Sequence, residues 1–246
     1  MTNLYTDLSD APPPLAVPAR ALTVGAHPDD AEFGAGATLA RWADGGCEVT
    51  VVVVTDGSKG SWDPDEDQAR LTNRRKDEQH AAARVLGVSD VIFLGETDGE
   101  LVDTPELRTA IVDLIRQVQP EVVLTHDPWQ RYQMHPDHRA TGRAAVDAVV
   151  AAREPLAKSP TGLKHHRPDA ILLWSADEPD HVEPVDESAF QSKVGALMCH
   201  SSQSVTTMGD AASSPELRSD FEHKLREWMT IGDNGDLAEQ FKRLTP

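Results

Sequence analysis

The sequence predicts an α/β fold: a mostly parallel sheet with helices on both faces, gathered in a single domain. Three observations carry this. Short β-branched runs alternate with segments of helical length and period, the succession that βαβ crossovers require. The run Val51-Val52-Val53-Val54 has no polar alternation, so both of its faces are expected to be covered. With 246 residues and 39% hydrophobic content, the chain is long enough to bury one full core.

Taken in order, residues 1–20, with Pro12-Pro13-Pro14 and Pro18, read as an extended arm ahead of a domain spanning 21–246. Ala21 to Ala26 is the first strand. A helix from Ala31 to Ala43 stops at Gly45-Gly46, and Glu48 to Thr55 is a strand broken by Asp56-Gly57. Arg70 to Leu86 is helical with Gly87 as its cap, Val91 to Leu94 a strand, and Pro105 to Gln117 a helix. Glu121 to Thr125 and Ala170 to Trp174 are strands on either side of a helix from Pro136 to Ala152. Two further helices cover Glu187 to Cys199 and Glu216 to Met229. Ser159 to Pro168 and Ser201 to Pro215 read as loops, the second long enough to be functional or mobile.

Composition narrows the partners. Asp and Glu number 41 against 23 Lys and Arg, a formal charge of -18, so polyanions such as nucleic acid or an anionic membrane are disfavoured and a small molecule is expected. No apolar stretch approaches the roughly 18 residues of a membrane span, and Met1 to Tyr5 lacks a signal-peptide pattern; a cytoplasmic protein is expected. Cys47 and Cys199 read as ordinary buried thiols. Nothing in the pattern fixes an oligomeric state, and a homo-oligomer stays open.

The most informative motif occurs twice, as His27-Pro28-Asp29-Asp30 and His135-Pro136-Asp137-His138, each downstream of a β-branched run. In both, proline suits the first position of a following helix, with the aspartates near the positive end of its dipole. Ligands of an open parallel sheet gather beyond the carboxyl ends of its strands. If the first and fourth strands are neighbours, His27 and Asp30 meet His138. Two imidazoles and one carboxylate make an open zinc site, with a fourth position for a water of lowered pKa. The same donor set serves non-haem iron, so the residues alone leave the metal open.

Ala26-His27-Pro28-Asp29-Asp30, Arg75-x-x-Glu78, Asp98-Gly99, His135-Pro136-Asp137-His138, Lys193 and His200-x-Ser202-Gln203 follow one another over residues 21–209. In this order they resemble the LmbE-like, or PIG-L, family of zinc-dependent N-deacetylases. The resemblance implies a Rossmann-like sheet and hydrolysis of an N-acyl group, commonly acetyl on a glucosamine unit. It implies one zinc held by His27, Asp30 and His138, with Asp29 as general base. His135 would stabilise the oxyanion or protonate the departing amine, held charged by Asp137. Arg75 and Asp98 match positions that hold sugar hydroxyls, and His200 would line the pocket.

The chain departs from some relatives in the loop from Asp127 to Met134. Gln133 stands where they place a tyrosine, and Tyr132 is one step earlier, so Tyr132 is expected at the substrate either through its hydroxyl or, with Trp129, by stacking. His126, His165, His166, His181 and His223 sit in no motif and are expected to face solvent or pack. A dinucleotide-binding reading fails because Leu39 stands where the third glycine after Gly34-x-Gly36 belongs. A mycothiol-type conjugate amidase is the near alternative, and a sugar- or metal-binding module the non-enzymatic one.

Overall fold

The computed structural model describes residues 12–157, 161–231 and 234–246. The expected arm thus lies outside the described residues up to residue 11, as do the first residues of the loop expected from Ser159. Five parallel strands form the centre: β1 (Arg20–Gly25), β2 (Glu48–Thr55), β3 (Asp90–Glu96), β4 (Val122–His126) and β5 (Ala170–Trp174). The helices between them are α1 (Asp30–Asp44), α2 (Gln68–Leu86), α3 (Pro105–Val118) and α4 (Pro136–Arg153). Helix α5 (Glu187–Cys199), the short α6 (Ser204–Thr207) and α7 (Pro215–Met229) follow. The expected loop from Ser201 is therefore partly helical, opening with a 3-10 turn at Ser201–Gln203.

Three strands were not foreseen: β6 (His181–Val185), β7 (Thr230–Ile231) and β8 (Asp236–Leu244), all antiparallel. Among the described residues the sheet runs β3-β2-β1-β4-β5-β8-β6, with β7 paired to β8. Pro184 in β6 and the charged sequence of β8 hide them from a search for β-branched runs. Proline is tolerated there because β6 is the edge strand.

The period-2 pleat sorts the core into two layers. Val52 and Val54 of β2 face α3 and α4 with Leu22, Val24, Ile111, Ile115 and Ala148. Val51 and Val53 face α1 with Ala35, Leu39 and Trp42. The valine run is buried on both sides, as its sequence requires.

The order β2-β1-β4 contains the point where successive connections leave in opposite directions. β2 and β3 lie to one side of β1, and β4 and β5 to the other. Val24 pairs with Thr125, so the chain leaves β1 and β4 at the same level, and the starts of α1 and α4 face one another there.

Candidate metal centre and active site

The two His-Pro-Asp junctions fold differently. In the second, His135 is the N-cap of α4 and Pro136 its first residue, as expected. In the first, Pro28 lies ahead of the N-cap, Asp29, which has φ 104° in the left-handed region. That strained turn brings His27 and Asp30 onto one side: Asp30 N donates to His27 O at 3.3 Å, and His27 N to Asp30 Oδ2 at 2.7 Å. Two residues of α2, one turn apart, hold the turn. Gln79 Oε1 accepts from Asp29 N at 3.0 Å, and Arg75 Nη2 donates to Pro28 O at 2.6 Å.

The three expected ligands converge. His138 Nε2 lies 3.2 Å from His27 Nδ1 and 3.4 Å from Asp30 Oδ1, and His27 Nδ1 lies 3.5 Å from Asp30 Oδ2. Donors at 2.0–2.1 Å around a tetrahedral cation stand about 3.3–3.4 Å apart, close to these separations, which reach Asp30 through both of its oxygens. The other face of His27 is fixed by carboxylates, Nε2 standing 3.1 Å from both Asp98 Oδ1 and Asp137 Oδ2. A carboxylate behind a histidine is the usual means of aiming its second nitrogen at a metal.

Burial works to lower the His27 pKa, but Asp137, Asp30 and Asp98 overcome it and hold the ring at about 12. Burial works to raise Asp30, yet His138 and His126 bring it well below the usual carboxylate range. Asp98 falls to about 2 because the His27 contacts outweigh its burial. These carboxylates hold His27 as an imidazolium in the ion-free cluster, and a cation bound at Nδ1 would take the place of that proton. Asp29 behaves in the opposite way: burial dominates over Arg75 and His200, and its carboxyl rises to about 6. Its Oδ2 is buried with no hydrogen-bond partner among the described residues, and Arg75 Nη2 lies 3.6 Å away.

Several expected roles are redrawn. The Asp137 carboxylate does not hold His135. It is fully buried, accepts from Gly99 N at 2.7 Å and Leu101 N at 3.2 Å, and serves His27. His135 takes the Asp137 N–H on Nδ1 at 3.3 Å, leaving Nε2 as its free donor; burial, then His27 and His138, lowers its pKa, so the ring is neutral rather than charged. Arg75 donates to Gly57 O at 3.0 Å and to Pro28 O, while Glu78 Oε1 takes Arg74 at 3.1 Å. Arg75 and Asp98 do line the cavity over the site, although each is already engaged, Asp98 also accepting from Lys59 N.

His200 is fully buried beside Glu32 and is not among the cavity-lining residues; nor is Tyr132, which is 89% exposed. The Asp127–Met134 loop carries Gln130 and Gln133 to the cavity and turns Tyr132 outward. The converse also holds: His126, expected to face solvent or pack, is 4% exposed and reaches Asp30. Its one sequence signal is its place at the carboxyl end of β4, the same sheet edge as His27. Gly34 and Gly36 are packing glycines, since a Cβ at Gly34 would meet the Trp174 ring at 2.5 Å and one at Gly36 the Lys193 chain at 3.1 Å.

An open α/β sheet with a carboxylate-backed cluster of two histidines and one aspartate at its switch point has the donor set of a metal-assisted enzyme. The chain matches the PIG-L family, GlcNAc-PI de-N-acetylase, over residues 22–149, and it belongs to that family. It is 34% identical over 187 residues to the diacetylchitobiose deacetylase of Thermococcus kodakarensis, covering 75% of this chain and 70% of that one. It spans about half the length of the 1D-myo-inositol 2-acetamido-2-deoxy-alpha-D-glucopyranoside deacetylases it also matches. Among solved structures, the N,N'-diacetylchitobiose deacetylase of Pyrococcus horikoshii superposes with a TM-score of 0.81 and 28% identity, over 93% of this chain and 84% of that one. GalB, a 4-carboxy-2-hydroxymuconate hydratase of Pseudomonas putida, shares the fold at TM-score 0.73 and 23% identity, over 92% and 96% of the two chains.

Proposed function

We propose that this deacetylase removes an acetyl group from the nitrogen of a small amino sugar, using one zinc ion held by His27 Nδ1, Asp30 and His138 Nε2. The observation that carries the reading is the meeting of these three side chains at 3.2–3.5 Å, with Asp30 facing each histidine through a different oxygen, across two junctions more than 100 residues apart in the chain. A bound zinc ion supplies Lewis acidity to the attacking water and to the acyl carbonyl.

The remaining work falls to the chain. Asp29 stands beside the ligand pair with an unpartnered oxygen and a carboxyl pKa near 6, which suits it to take the proton of the attacking water near neutrality. His135, neutral and with Nε2–H free, donates to the carbonyl oxygen as negative charge develops there. The cavity above has a volume of about 1010 Å³ and is lined by Trp62, Trp228 and Trp174 as well as the polar cluster. That is ample for a sugar with an attached second ring, and the exposed Trp62 and Trp228 indoles offer it apolar surface.

The hydratase among the fold neighbours sets the second reading, because a sheet and a metal site do not by themselves choose between amide hydrolysis and hydration of a double bond. Metal analysis of the purified protein, with amine release measured over a panel of N-acetylglucosaminides, separates them. Stoichiometric zinc and release of a primary amine support the proposal. Metal without amine release from any member of the panel, together with water addition to an unsaturated diacid, would sink it.

A further inference from the structure

We infer that His126 and Trp174 form a clamp that fixes Asp30 for metal binding, with His126 a positioning residue and not a ligand. The inference rests on the reading of Asp30 as a metal ligand. The roles follow from what each group is able to do. An indole N–H only donates, and Trp174 Nε1 lies 3.1 Å from His126 Nδ1, so that nitrogen must be the acceptor. The imidazole then carries its proton on Nε2, which faces Asp30 Oδ2 at 3.0 Å and donates to it. Ala26 N also approaches Nε2, but at 3.4 Å, and the shorter carboxylate contact decides the role.

The alternative is a second donor set, since Asp30, His126 and His138 also cluster closely enough to hold a cation. Two features favour the clamp. The Nε2–Oδ2 separation is a hydrogen-bond length, shorter than the 3.2–3.5 Å edges of the His27, Asp30 and His138 set. A ligating His126 would also have to give up the Nε2 proton while Trp174 occupies Nδ1, and the imidazole would then be an anion.

The clamp stands on rigid parts. His126 closes β4, Trp174 closes the adjacent β5, and the two residues are register partners. The His126 ring stacks on His138 at 4.2 Å between centroids and 18° between planes, so it buttresses a second ligand as well. Gly34 leaves the space that the Trp174 ring fills. One strand-end pair therefore fixes the orientation of a carboxylate on α1 and the ring of a histidine on α4.

The test is zinc affinity, read by competition with a chelator on purified protein, with cobalt(II) absorption as a second readout. Loss of the partner behind a ligand typically weakens binding 10- to 100-fold. His126→Ala should show such a loss, while the cobalt(II) protein keeps the band positions and intensity of the parent. His126→Gln, whose amide N–H reaches the Nε2 position, should recover part of it. Trp174→Phe keeps the packing but removes the donor, so it should weaken zinc by a smaller factor and stay folded. Parental affinity in His126→Ala would overturn the clamp. A cobalt(II) spectrum showing altered coordination would also overturn it, in favour of direct ligation. His27→Ala is run beside it: if that variant also binds zinc as the parent does, the metal assignment itself has failed, whereas its loss with an unchanged His126→Ala overturns the clamp alone.

Discussion

Gly142 offers the sharpest test of how the fold sets the metal geometry. It lies in α4 four residues after His138, on the same helix face, where α4 passes the end of β4. A Cβ built there would stand 2.6 Å from His126 O and 3.2 Å from Pro128 N. These are backbone atoms, so no flexible side chain gives way, and the contact is about 0.8 Å short of the ordinary 3.4 Å. Helix propensity alone favours Gly→Ala by about 1 kcal/mol, so Gly142→Ala would stabilise an unconstrained helix. Overpacking of this kind costs about 1–3 kcal/mol, which reverses the sign or cancels it. The larger effect is geometric, because a site tolerates misplacement of only about 0.5 Å, and α4 carries His138. Urea unfolding of the chelator-treated protein should show Gly142→Ala no more stable than the parent, and competition should show weaker zinc binding. A variant stabilised by the full propensity gain, with zinc affinity unchanged, would show that α4 does not set the distance across the site.

Asp29→Asn should retain zinc yet release amine about 100- to 10,000-fold more slowly, the usual loss for a missing general base; parental rates with full metal would move that role elsewhere. Chelation should lower the thermal midpoint and zinc should restore it in proportion to the logarithm of its concentration, since an ion bound only by the folded chain stabilises by mass action; a midpoint indifferent to zinc would count against the site. The Cys47 thiol is pushed up to about 11, chiefly by burial and then by the charge of Glu121. A raised pKa means the contribution is fully present below the thiol's ordinary value and is lost as pH rises through 11. The stability difference between the parent and Cys47→Ala should therefore change between about pH 9 and pH 11 and be flat below; a difference that changes only below pH 8 would refute it.

The succession of β1 to β5 and the helices between them was legible because continuous β-branched runs and helical periods alternate along the sequence, as strands buried on both faces require. That His27, Asp30 and His138 would meet was legible for a related reason, as both junctions announce themselves by motif. What could not be read were the partners. That Asp137 serves His27 rather than His135 depends on how closely the 98–101 turn approaches α4, and no spacing encodes that. Asp29 needed its φ of 104° and the Gln79 contact from α2. His126 stands alone in the chain, and only the register of β4 beside β1 and β5 gives it neighbours. The antiparallel strands carry buried charge, Glu183 and Glu239, which a hydrophobicity pattern reads as surface.

Glu239 has a further consequence. From β8 its carboxylate enters the middle of α1, accepting from Ala37 N at 3.1 Å and Thr38 N at 2.7 Å, while Lys193 of α5 bridges it at 2.6 Å to Phe33 O at 2.8 Å. The residues 22–149 that match the family contain all the proposed metal donors, yet the helix that carries Asp30 is fastened by the last strand of the chain. Exchanging the tail between relatives is therefore not a neutral graft. A chimera that brings in a foreign last strand without its own Lys193–Glu239 pair would inherit the reactive residues and lose the fastening that keeps their helix in place.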